Sequence, residues 1–362
     1  MPSETASPGR RALFSAIRML VGLAFAGALI TMTIRSTGAD VLGELRAGSA
    51  PLLGLATCVY GGIVFLTVVR WRLLLRVQGV DLGIGVLCRL TLIGVFFNLA
   101  IPGAVSGDFL KMAYAAKRAP NRAAEAVLTI MLDRVMGLLG LFVVAGVMVV
   151  VCLGWILGLS GEFRVLQAGI FAVGLGSFGG ALGALLIEFR ERLIRIRVVS
   201  WGIDMGRRWL PAAVTHIIAR FVTALDLYRH HRRTVLQALL ISIVIHTGLG
   251  LNLYCVGRAL HVEQLRARDY LLATQVANTV ASVPVTPGGL GTRDATVAFC
   301  FKALGANAEK TGAIPLVFSL IIAFWGIVGA GVFIATPRHT DNAPGAPRRV
   351  NPGEDDSTPA GQ

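Results

Sequence analysis

Charge is the scarcest resource of this 362-residue chain: Asp, Glu, Lys and Arg together make up 15%, against roughly 25% in soluble globular domains. Such a chain cannot cover a soluble core with a wet surface. Lysine is almost missing, with only Lys111, Lys117, Lys302 and Lys310. The five cysteines, Cys58, Cys88, Cys152, Cys255 and Cys300, form no CxxC pair and no Cys/His spacing, which argues against a metal centre and reads as small apolar residues. There is also no HExxH, no GxSxG and no Walker A loop. Zincin and α/β-hydrolase chemistry and a nucleotide-driven motor of that type are therefore not indicated. No catalytic residue and no cofactor is expected.

What the chain has instead is apolar residues, at 55%, gathered in blocks. Mean hydropathy is +0.70. Runs of about 20 apolar residues match a hydrocarbon core of about 30 Å at 1.5 Å per residue. Full spans are expected at 13–34, 50–69, 126–155, 165–187, 235–257 and 313–335. The Arg10-Arg11 pair resembles a signal sequence, but the apolar run continues to Ile34 without a cleavage site, so a retained first helix is expected. Residues 1–11 and 337–362 are rich in Pro, Gly, Ser and charge and read as disordered tails around one membrane domain, 12–336. No soluble domain is expected after the last span.

The net charge of +14 rests on arginines lying between apolar blocks. In that place they orient helices and meet anionic lipid, so nucleic acid is not the expected partner. Arg70, Arg72 and Arg76 in a 70–85 loop, and ten arginines in the 188–234 connection, put those segments and the N-terminus on the cytoplasmic side. The 188–234 connection also alternates Trp, Ile and Leu with arginine, as interfacial helices do. It serves anchoring, or recruits anionic lipid.

Two further apolar stretches, about 86–110 and 270–300, are interrupted near their middles. The first runs Phe97-Asn98 through Pro102-Gly103 to Gly107-Asp108 and Lys111; the second runs Asn278 through Pro284 to Pro287-Gly288-Gly289-Leu290-Gly291-Thr292-Arg293-Asp294. Lys111, Lys117, Arg118 and Arg122 carry the cytoplasmic signature although only one apolar stretch separates them from the 70–85 loop. Both loops stay inside only if 86–110 goes in and returns. The same reasoning makes 270–300 re-entrant from outside and leaves the C-terminus inside. The expected architecture is an all-α polytopic membrane protein with six full spans and two broken re-entrant segments, a weak inverted repeat.

Breaks of this kind free backbone polar groups, which membranes tolerate only where the backbone is buried in protein or lines a wet cavity. Paired Gly/Pro interruptions in two halves of a chain point to a transporter's binding site, with half-helix N-termini turned toward an anion. A break serving packing alone is the alternative. Ionisable pairs add to the pattern: Asp133-Arg134 within the third span and Arg293-Asp294 after the second break. An intramembrane charge costs roughly 2.5–3.5 kcal/mol on insertion scales and needs a partner. Neighbours on a helix diverge by about 100°, so partners are sought elsewhere: Arg134 with Asp108 or Asp294, and Arg293 with Asp133. These charges serve either as a static lock or as contacts for a phosphate-bearing head group.

Other signals are weaker. Gly174-Leu175-Gly176-Ser177-Phe178-Gly179 matches GxGxxG but lies in an apolar span without a preceding strand; those glycines, with Gly180 and Gly183, read as helix-packing residues. His246 and Asn252 are expected to hydrogen-bond between helices.

The order Asn98…Pro102-Gly103…Gly107-Asp108, then Asp133-Arg134-Val135-Met136-Gly137-Leu138, then Pro287-Gly288-Gly289-Leu290-Gly291-Thr292-Arg293-Asp294 resembles the lysylphosphatidylglycerol synthase transmembrane region, or flippase-like domain family, over about residues 13–335. Asp133 and Asp294 stand where that family often has Glu. The resemblance implies moving or presenting charged lipids across the cytoplasmic membrane, without the aminoacyltransferase domain that follows in the synthases. The partners it implies are lipids with anionic or zwitterionic head groups and enzymes of envelope-lipid synthesis. A membrane-embedded transferase on a lipid-linked sugar and a non-transporting scaffold remain open beside a transporter.

Overall fold

The computed structural model describes residues 41–100, 106–188, 231–282, 287–306 and 308–336. The expected first span, Pro102, Gly103, Pro284, both tails and nearly all of the 188–234 connection lie outside the described residues. The described residues are helical, with no strand among them, as expected of a chain whose backbone must satisfy its own hydrogen bonds in hydrocarbon. In order, the helices are α1 (Val41–Ala47), α2 (Ala50–Val77), α3 (Ile84–Ala100), α4 (Ser106–Arg118), α5 (Ala123–Val151), the short α6 (Leu153–Leu157), α7 (Arg164–Glu188), α8 (Arg232–Ala259), α9 (Ala267–Ala281), α10 (Thr292–Ala303) and α11 (Ala308–Ala335). Four are long and apolar enough to cross a membrane, the stretches Ala50–Val77, Pro120–Val151, Arg232–Ala259 and Gly312–Ala335, while Ile84–Ala100 is a shorter apolar helix. They match four of the six expected spans; a fifth, 165–187, is α7.

One boundary differs in a way that matters. The expected span 50–69 followed by a basic loop is instead a single helix of 28 residues, ending at Val77. Arg70 is 6% exposed and belongs to the interior. Counting arginines as water-facing fails here because Arg70 has a partly buried carboxylate, Asp133, to neutralise it. The chain then turns tightly through Gly79, whose φ is 65°.

α2 runs antiparallel to α5 and to α8. Trp71 Nε1 donates to Thr129 Oγ1 (3.2 Å), and Arg122 Nη1 donates to the Gln78 carbonyl (2.7 Å), near the end of α2 and the start of α5. Asn252 Nδ2 donates to the Ala56 carbonyl at 2.8 Å, tying α8 to α2. His246 Nε2 lies 3.1 Å from the Gly137 carbonyl of α5; a carbonyl only accepts, so the proton sits on Nε2. Both side chains thus bond between helices, as their place in an apolar span implies.

The two interrupted stretches form helical hairpins. In the first, α4 folds back on α3, with Gly107 against Gly94 and Asn98, and the Lys111 stem against Gly94. A Cβ at Gly107 would run into the Gly94 carbonyl oxygen. In the second, α10 folds back on α9: a Cβ on Gly289 would come within 2.7 Å of Ala281 Cβ, and the Tyr270 and Phe301 rings stack edge-on with centroids 5.1 Å apart. Each interrupted stretch therefore folds back on itself as a hairpin. The second hairpin packs into the main core, where Tyr270, Phe301, Leu253 and Ile314 are fully buried.

Glycine packing along α7 is only partly as expected. Gly174 abuts Val149, but a Cβ at Gly176 or Gly179 would meet nothing within 4 Å among the described residues. Of the five cysteines, Cys152 and Cys300 are buried, while Cys58 is exposed on α2.

Candidate functional site at the meeting of two hairpin tips

The tips of the two hairpins touch. A Cβ on Gly288 would lie 3.1 Å from Leu99 Cδ2 and 3.4 Å from the Asn98 carbonyl oxygen. The first tip is closed by its own asparagine, whose Oδ1 accepts from the Gly107 N–H at 2.9 Å. The second tip is made by Pro287–Gly289 and Gly291, with φ of 56°, 74° and 79° at Gly288, Gly289 and Gly291. Left-handed backbone at three positions is cheap only for glycine. Two of these glycines also fill space, Gly288 against the first tip and Gly289 against Ala281; a Cβ at Gly291 would meet nothing within 4 Å among the described residues. Of the three, Gly291 is the one whose backbone a ligand can approach.

α10 starts at this tip. Asp294 Oδ2 accepts from the Gly291 N–H at 3.2 Å, capping the new helix with its own carboxylate. Its Oδ1 accepts from Ser319 Oγ (2.8 Å) and Arg293 Nη2 (3.3 Å), and the same Nη2 donates to Ser319 Oγ at 2.5 Å. The Arg293 guanidinium also lies over Phe318, 5.2 Å from the ring centroid. Arg293 and Asp294 are both buried.

Asp133 was expected to meet Arg293, and it does not. Its partner is Arg70, which holds it through two parallel hydrogen bonds, Nε to Oδ1 at 2.7 Å and Nη2 to Oδ2 at 3.0 Å. Arg70 Nη1 also donates to Ser242 Oγ at 2.8 Å. Arg293 pairs with its own neighbour because Ser319 bridges the pair from α11, a geometry that helix spacing alone disfavours.

Arg134, in contrast, bonds Asp108 at the first turn of α4, one of its two expected partners. Lys111 Nζ lies 3.8 Å from the other Asp108 oxygen and 5.7 Å from the Trp71 ring centroid. Exposure separates the two cations singled out from sequence: the Arg134 side chain is 51% exposed, and Arg293 is 9% exposed. Asp108 beneath Arg134 is 3% exposed. A buried carboxylate therefore holds a half-exposed arginine, and the adjacent Asp133 is held by Arg70.

The structure thus brings Asn98, Gly107, Asp108 and Arg134 to one tip and Gly288, Gly289, Gly291, Arg293 and Asp294 to the other. Asn278 lies one turn before the end of α9, with its Nδ2 buried. Arg70 and Lys111, read from the sequence as cytoplasmic charges, join these residues, as do Trp71, Ser242 and Ser319, which had not stood out. Arg70 sits at the edge of an apolar block, where charge reads as loop, and the two serines give no periodic signal.

No curated protein matches the chain. The family model described as Lysylphosphatidylglycerol synthase TM region matches residues 19–331, a range that includes both hairpins and the Arg70–Asp133, Arg134–Asp108 and Arg293–Asp294 pairs. The chain is a multi-pass membrane protein and belongs to the lysylphosphatidylglycerol synthase transmembrane-region family, of lipid-modifying and flippase-like character.

Proposed function

We propose that the protein moves or presents a charged lipid, a (glyco)phospholipid or polyprenyl-phosphate lipid, across the cytoplasmic membrane, with both termini on the cytoplasmic side. It acts as a transporter and not as an enzyme. The observation that carries this reading is the half-exposed Arg134 seated on the buried Asp108 beside the meeting point of the two tips. A half-exposed guanidinium suits a phosphate in planar geometry and charge. Lipid tails remain in the bilayer while the head group meets Arg134, with Lys111 close by and the Gly291 backbone at the other tip. No nucleic acid is involved.

Arg293 has a different role in this reading from the one the sequence suggested. Buried and bonded to Asp294 and Ser319, it holds α10 to α11 and keeps the tip in place. Mutation of either arginine then lowers transport, Arg134→Ala at the site and Arg293→Ala through the fold.

The test is scrambling of fluorescent lipids in proteoliposomes, comparing anionic, zwitterionic and aminoacylated head groups. Translocation that falls in Arg134→Ala, with the protein still folded and reconstituted, supports the reading. Undiminished translocation in folded Arg134→Ala and Arg293→Ala proteins would sink it. Absence of movement for every lipid would favour a scaffold for envelope-lipid enzymes.

A further inference from the structure

One buried carboxylate of the first hairpin faces two cations, and they hold it unequally. Arg134 reaches Asp108 from α5 and bonds Oδ2. Lys111, one turn further along α4, stands with Nζ 3.8 Å from Oδ1. That distance lies beyond a hydrogen bond, which needs about 2.7–3.2 Å between nitrogen and oxygen. Lys111 is thus a second counter-ion of Asp108, held just short of bonding.

Neighbouring helices fix the lysine there. Its stem crosses α3 at Gly94, where a Cβ would come within 2.5 Å of Lys111 Cε. Its ammonium lies 5.7 Å from the Trp71 ring centroid on α2, and that ring is anchored in turn by Nε1 to Thr129 Oγ1 of α5 at 3.2 Å. The Lys111 side chain is 16% exposed, against 51% for Arg134. Of the two cations on Asp108, the arginine is the exposed one and the lysine the sheltered one. The adjacent Asp133 is already taken by Arg70 through two hydrogen bonds.

The inference rests on the reading of Arg134 as the contact for the head group. A phosphate that draws the Arg134 donors competes with Asp108 for them. Asp108 is 3% exposed, and a buried carboxylate left without its cation is strongly disfavoured. We propose that Lys111 is a positioning residue that takes over Asp108 while Arg134 engages the phosphate, and gives it back when the head group leaves. Lys111 then needs no contact with lipid. It acts through Asp108, by lowering the cost of releasing Arg134.

The two side chains suit this exchange. An ammonium on a flexible stem carries three rotatable donors and closes a gap of about 1 Å by small torsions, with no planar fork to realign. The guanidinium supplies the fork that a phosphate matches. Charge fits as well. Arg134, Lys111 and Asp108 sum to one positive charge, so a phosphate with one negative charge brings these groups to neutrality. Asp108 keeps a cation in both states.

The test uses the full chain in maltoside micelles, which contain no phosphate, with lysine labelled by nitrogen-15 at Nζ. The chain has four lysines, so the spectrum is sparse and Lys111→Met identifies the signal of interest. Arg134→Ala imitates release of the arginine in the absence of lipid. In that variant the Lys111 ammonium signal is expected to shift and its hydrogen exchange to slow severalfold. Wild type with added phosphatidylglycerol is expected to move toward the same position. In thermal unfolding, Arg134→Ala with Lys111→Met is expected to lose more than the sum of the two single losses, because Asp108 is then stranded. Lys111→Arg is expected to spare Arg134→Ala that loss, and Asp108→Asn to restore the double variant, even one that fails to fold alone. Additive losses, an unmoved signal in Arg134→Ala, or no recovery by Asp108→Asn overturns the exchange. A signal that moves in Arg134→Ala but with none of phosphatidylglycerol, phosphatidic acid and polyprenyl phosphate overturns the head-group reading of Arg134 instead.

Discussion

Arg70 and Asp133, on α2 and α5, share two parallel hydrogen bonds inside the membrane domain, with side chains 7% and 16% exposed. The pair fixes one face of α5 so that the next residue, Arg134, turns toward Asp108 on the first hairpin. One arginine of the sequence pair Asp133-Arg134 is thus set in place by an acid that is itself held from another helix.

Removing one member of the Arg70–Asp133 pair strands the other as a lone intramembrane charge, at about 2.5–3.5 kcal/mol. Arg70→Ala and Asp133→Ala are therefore expected to lower the thermal stability of the detergent-solubilised protein. The double replacement Arg70→Met with Asp133→Leu is expected to recover most of that loss, since exchanging both ions for apolar groups is often close to neutral. Thermal unfolding followed by tryptophan fluorescence checks both.

The glycines of the tips fall into two groups. Gly288→Ala meets Leu99 and the first tip in addition to a left-handed backbone, and Gly107→Ala meets the Gly94 carbonyl. Gly291→Ala carries the backbone strain alone, about 1–2 kcal/mol. Thermal stability is expected to fall more for Gly288→Ala than for Gly291→Ala, and Gly107→Ala is expected to splay the first hairpin. An equal loss at Gly288 and Gly291 would show that the tips do not touch.

Arg134→Lys keeps the charge and gives up the planar fork that Asp108 orients. Lipid translocation in proteoliposomes is expected to drop in Arg134→Lys nearly as far as in Arg134→Ala. Full activity in the lysine variant would mean that charge alone is enough.

Ser319 bridges Arg293 and Asp294 from α11. Ser319→Ala removes both hydrogen bonds from a buried pair and is expected to cost about 1 kcal/mol. Ser319→Thr retains the hydroxyl. Stability that falls in the alanine variant and recovers in the threonine variant confirms the bridge.

Much of the site was visible along the chain. The Pro-Gly interruptions, the loop charges and the acids beside Arg134 and Arg293 located both hairpins and predicted that each returns. The pairing of Arg134 with Asp108 also followed, since an intramembrane arginine needs an acid and Asp108 was one of two within plausible reach. Pairing of Arg293 did not follow. Ser319 is an unremarkable serine in an apolar run, and nothing local marks it as the group that lets two neighbouring ions bond to each other.

Composition and blockwise hydropathy by themselves determined that this is a helical membrane protein, because only internally bonded helices or closed barrels satisfy a backbone in hydrocarbon and these apolar runs have helical lengths. Glycine and proline determined where the two segments break. Only the tertiary structure decided which charges meet, that Arg70 lies inside and that Arg134 keeps an open face while Arg293 does not. Those outcomes depend on helix register and on side chains dozens to hundreds of residues apart, as in Arg70 with Asp133 and Ser242. Local sequence sets the cost of a buried charge, and only the packed fold supplies the partner that offsets it.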